Sequence, residues 1–130
     1  MKANELMIGD WVYCSQEGCE GHQIDLIDDG NNVVGLDGEL LLIEDIKPIP
    51  LTDEILEHNG FRITSEHADY YFEENGEKMD FCMRRMYDQN DMKKQCGWGH
   101  MSYNILILID YVHQLQHALR LCGIEKEIII

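Results

Sequence analysis

Basic residues are scarce in this chain: ten Lys and Arg stand against 25 Asp and Glu, a formal net charge of −15 over 130 residues. The deficit runs through both halves, with 2 basic and 11 acidic residues in 1–50 and 8 and 14 in 51–130. Phosphate backbones and anionic lipid repel such a surface, so neither nucleic acid nor membrane is an expected partner. No window approaches the roughly 18 apolar residues that a helical membrane span needs. The opening Met1-Lys2-Ala3-Asn4-Glu5 lacks the apolar stretch of a secretory leader, so the expected location is cytoplasmic. There is no Walker loop, no Gly-x-Gly-x-x-Gly and no Cys-x-x-Cys. Aromatic residues are not interleaved with basic ones, as a nucleic-acid binder requires.

Five cysteines are present: Cys14, Cys19, Cys82, Cys96 and Cys122. An odd count without a leader reads as reduced thiols. Cys122, on an apolar helical stripe, is expected in the core.

What remains is a 45% apolar chain with enough material for a core. Short strands with Gly, Asp and Asn turns are expected over 7–46: Trp11-Val12-Tyr13, residues 23–27, residues 33–36, and the apolar run 40–43, read as buried on both faces. They suggest a small β meander or a partly open barrel, and Gly9-Asp10-Trp11-Val12 resembles the first hairpin of a Src-homology-3-like barrel. The only two prolines, Pro48 and Pro50, make 47–51 an extended connector that denies sheet hydrogen bonds. Thr52 is an N-cap for a short helix over 53–59, with Gly60 as its stop. Strands follow around an Asn75-Gly76 turn, at 69–74 and 78–87. Residues 89–99 read as a loop and 100–109 as one further strand. Val112, Leu115, Leu119 and Cys122 recur at helical spacing, which places a helix over 110–122. Residues 124–130 read as a closing strand. The fold class is therefore α+β, divided into a small all-β unit (1–46), the connector (47–51) and an α+β unit (52–130).

Three groups could carry chemistry. His113 and His117, four apart on a helix, could share a metal ion. Gln114 stands where a zinc protease of His-Glu-x-x-His type has its general base, and Gln cannot take a proton at neutral pH. Two surface or boundary histidines are the expectation, with a metal-binding, hydrolase-like protein as the alternative. Cys14, Cys19 and His22 could ligate zinc, but without a fourth ligand close by they read as a hairpin loop with incidental thiols. Arg84-Arg85 with Lys93-Lys94 is the one basic cluster, expected to pair with the surrounding acids. Neither Cys82 nor Cys96 has a neighbouring base. No catalytic residue, metal ligand or cofactor is therefore expected.

Three stretches resemble a family of uncharacterised small proteins from gut Bacteroidales genomes and their prophages or phages. They are Leu6-Met7-Ile8-Gly9-Asp10-Trp11-Val12, Ile49-Pro50-Leu51-Thr52-Asp53-Glu54-Ile55-Leu56-Glu57-His58-Asn59-Gly60-Phe61 and Tyr111-Val112-His113-Gln114-Leu115-Gln116-His117-Ala118-Leu119. The resemblance implies a phage or mobile-element accessory protein and supplies no catalytic residues. The expected function is non-enzymatic binding of a protein partner, a basic one on charge grounds. A structural subunit of a phage assembly is the other alternative.

Overall fold

The computed structural model describes residues 1–15 and 20–130. The chain is mixed α+β and divides into two units: Met1–Pro50 with Tyr111–His113, and Leu51–Asp110 with Gln114–Ile130.

In the first unit β1 (Trp11–Cys14), β2 (His22–Asp28), β3 (Val33–Leu36), β4 (Glu39–Leu42) and β5 (Ile46–Pro48) form one antiparallel sheet in the order β4-β3-β2-β1-β5. A 3-10 turn, Ile43–Asp45, separates β4 from β5. Strands β1–β4 run as a meander and β5 returns to pair with β1, so the sheet is open rather than a closed barrel, with β4 and β5 at its two edges. Alternation fills its core: Val12, Ile24, Val34, Leu36, Ile43 and Ile46 are buried, with Ile27 and Leu41 packed against them. Two expectations fail here. Leu40 and Leu42 are exposed, because β4 is an edge strand with only one face toward the core. Residues 46–48 are a strand in spite of Pro48, since β5 is an edge strand and a missing N–H there costs no ladder bond.

The second unit holds α1 (Asp53–His58), then β6 (Arg62–Ile63), β7 (His67–Glu74), β8 (Glu77–Tyr87), β9 (Gln95–Ser102) and β10 (Ile105–Ile109). These strands make an antiparallel sheet in chain order, with β6 and β10 at its edges. Helix α2 (Val112–Leu121) follows, most of it in this unit. The Thr52 hydroxyl accepts the Ile55 N–H at 3.3 Å, and Gly60 takes φ +83°, so both ends of α1 form as expected. Phe61 packs on Tyr70 and Phe81, with ring centroids 5.4 and 6.5 Å apart. Leu56, Phe81, Met83, Trp98, Ile109, Leu115 and Leu119 are buried.

Residues 100–109 are not one strand. Tyr103 and Asn104, at φ 49° and 65°, turn the chain between β9 and β10, and β9 begins inside the expected loop. Residues 124–130 form no strand. The tail is instead tied at Ile129, whose N–H and C=O both bond to the Asn59 side chain.

Candidate functional site

The two histidines weighed as a possible metal pair differ in exposure. His113 is 4% exposed, with its ring stacked beside Tyr111 at 6.0 Å between centroids, so the expectation of a boundary residue is corrected. His117 is half-buried. Among the described residues, no group of three or more His, Cys, Asp or Glu side chains could hold a metal ion. For the N-terminal group, Cys19 lies outside the described residues. Cys14 is disulfide-bonded, which departs from the expectation of five reduced thiols. The His22 imidazole meets the Asp37 carboxylate at 2.6 Å, a partly exposed ion pair when the ring is protonated.

The basic cluster divides. Arg85 is internal, as expected: its guanidinium forks onto the Asp53 carboxylate at 2.9 and 3.3 Å, donates to Gln95 Oε1 at 2.6 Å and lies 4.6 Å from the Trp98 ring centroid. This fixes α1 to the β8–β9 part of its own sheet. Arg84 is exposed, opposite His67 across the β7–β8 ladder.

A surface absent from the sequence reading emerges at β10. All five of its residues are Ile or Leu, and β9 is its only strand partner among the described residues. Ile105, Leu106 and Leu108 are 65%, 47% and 56% exposed. The register pairs Leu106 with Met101 and Leu108 with Gly99, so these four share the outer face of the sheet, while Ile109 with Trp98 points to the core. Met101 is 60% exposed, and Met86 reaches the same spot, because a β-carbon on Gly99 would meet its sulfur at 2.9 Å. In a two-residue hairpin the pair flanking the turn exchanges both hydrogen bonds, and the pattern then alternates. Here that pair is Ser102 and Ile105. Ile105, Ile107 and Ile109 therefore bond to β9, and Leu106 and Leu108 turn their N–H and C=O groups to the free edge.

One more pair comes together from distant parts of the second unit. His100 Nε2 lies 3.5 Å from the Cys122 sulfur, and His100 Nδ1 lies 2.8 Å from the Cys82 carbonyl oxygen. The imidazole is stacked on Phe81, centroids 4.1 Å apart. Cys122 is exposed rather than a core residue, because α2 ends at Leu121 and the chain turns away at Gly123. Their 22-residue separation leaves no spacing signal in the sequence. The Cys82 thiol is pushed up to about 12, first by burial and then by the hydrogen bond and charge of Asp69 opposite it on β7.

Fold and surface together define a mixed α+β chain with two antiparallel sheets and an apolar free edge. Among the described residues, no helix is long and apolar enough to cross a membrane. The chain matches no protein-family model, no curated protein and no solved structure.

Proposed function

We propose that the chain is a non-enzymatic interaction protein, a phage or prophage accessory factor, that binds a basic protein partner by adding one of its strands to β10. The observation that carries this reading is the Ile105–Ile109 edge, wholly apolar and uncharged in a chain of net charge −15. An exposed apolar edge strand is a standing invitation to strand pairing, and proteins without a partner for it normally protect it with charge, proline or a cover. The acidic remainder accelerates encounter with a basic protein, and β10 with Met101 supplies the short-range contact. The phage or prophage setting rests on the resemblance of the three stretches alone. Cytoplasmic action is part of the proposal and draws on the free thiols Cys82, Cys96 and Cys122; the Cys14 disulfide is the feature that departs from it.

The test uses immobilised wild-type chain and a Leu106→Lys/Leu108→Lys variant in host lysate at low and high salt. The expected result is a basic protein retained by wild type, released by salt and lost with the variant. Retention that ignores the substitutions, or none at low salt, contradicts the reading. A self-dimer abolished by the same substitutions replaces the partner with a second copy and favours an assembly subunit.

A further inference from the structure

The geometry around His100 points to Cys122 as a base-assisted thiol that is modified by small disulfides. A carbonyl oxygen only accepts, so the 2.8 Å contact to Cys82 O places the imidazole proton on Nδ1. Nε2 is then left with its lone pair directed at the Cys122 sulfur, 3.5 Å away. Stacking on Phe81 fixes the ring plane. Nucleophile, base and the group that orients the base thus stand in the order that activates a thiol. Access is open, because Cys122 is exposed just past the end of α2.

The backbone around Cys122 limits what this pair can do. The N–H groups of Cys122, Gly123 and Ile124 are all spent on the carbonyls of Ala118, Arg120 and Leu119 in the helix end. None is left to hold an oxyanion, so acyl transfer lacks its main stabilising element. Thiol–disulfide exchange needs no such donors. In that step the Cys122 thiol gives its proton to His100 Nε2 while its sulfur attacks one sulfur of a disulfide R–S–S–R. The Cys122–S–S–R bond forms as the R–S–S–R bond breaks. The departing thiolate takes a proton back from the imidazolium as R–SH, so oxidation of Cys122 is matched by reduction of the released thiol.

The chain carries its own controls. Cys96 is exposed with no histidine beside it in the described hydrogen bonds, and Cys82 is half-buried and held in the thiol form by its surroundings. The experiment treats full-length protein with neutral dithiodipyridine, which the acidic surface does not repel, and follows each cysteine by peptide mass mapping. Cys122 is expected to react at least about tenfold faster than Cys96, with Cys82 silent. His100→Gln is expected to bring Cys122 down to the rate of Cys96 while leaving Cys96 unchanged. In urea the wild-type preference is expected to vanish, a comparison that does not depend on the variant folding. Equal rates for Cys122 and Cys96 in the native chain, or a preference that survives in urea, would overturn the assignment.

Discussion

Asn59 grips Ile129 from both sides of one peptide strand: its Nδ2 donates to the Ile129 carbonyl at 2.7 Å, and its Oδ1 accepts the Ile129 N–H at 2.8 Å. The same Nδ2 also donates to Ile55 O at 2.7 Å, and Asn59 is only 4% exposed. One amide therefore joins the end of α1 to the C-terminal tail across 70 positions of chain. Asn59→Ala strands these buried backbone groups, and a loss of about 2 to 3 kcal/mol is expected in urea unfolding. Asn59→Asp keeps the acceptor for Ile129 N–H and loses the donor, so it is expected to be destabilising as well. A variant within about 0.5 kcal/mol of wild type would show that the tail is held by other contacts.

Arg85 does several jobs at once, and substitution should separate them. Asp53 is 44% exposed, so Asp53→Asn is expected to cost no more than about 1 kcal/mol. Arg85→Lys retains the charge but loses the fork and the flat contact with Trp98, and should cost more than Asp53→Asn. Denaturation midpoints of both variants check the order. The reverse order would mean that the ion pair outweighs the stacking.

The Tyr103-Asn104 turn has left-handed backbone at both positions, and Tyr103 is 97% exposed. A bulky residue is strained there, whereas Asn-Gly suits such a turn. Tyr103→Asn/Asn104→Gly is expected to raise stability by about 0.5 to 1 kcal/mol without loss of packing, read from the thermal midpoint. A loss of stability would place Tyr103 in a contact that its exposure does not suggest.

Zinc offers a check on the two histidines of α2. A metal site that binds the folded chain alone, filled at 100 times its Kd, would add about 2.7 kcal/mol. Wild type and His117→Ala are expected to show the same thermal midpoint change, if any, on adding zinc. A shift present in wild type and absent in His117→Ala would favour the metal-binding alternative.

Local signals carried much of the fold. Thr52 and Gly60 bound α1, Asn75-Gly76 closes the β7–β8 hairpin, and the apolar spacing of Val112, Leu115 and Leu119 marks α2. What stayed hidden depends on neighbours in space. Tyr103-Asn104 lacks the glycine that usually advertises a tight turn, so β9 and β10 read as one strand. An apolar run such as Leu40-Leu41-Leu42-Ile43 does not say whether its strand is central or at an edge, and β4 proved to be an edge. The tail's apolar Ile128-Ile129-Ile130 looked like a strand, but a side-chain amide rather than a neighbouring ladder satisfies Ile129. The pairing of His100 with Cys122 exists only once α2 has been placed on the sheet of its own unit.

Amide hydrogen exchange along β10 tests the docking edge most directly. In the free chain the N–H groups of Leu106 and Leu108 should exchange rapidly, while those of Ile105, Ile107 and Ile109 are protected by β9; binding of a partner should then slow Leu106 and Leu108 alone. Leu106 and Leu108 amides already protected in the free monomer, or unchanged when a partner is bound, would contradict the account.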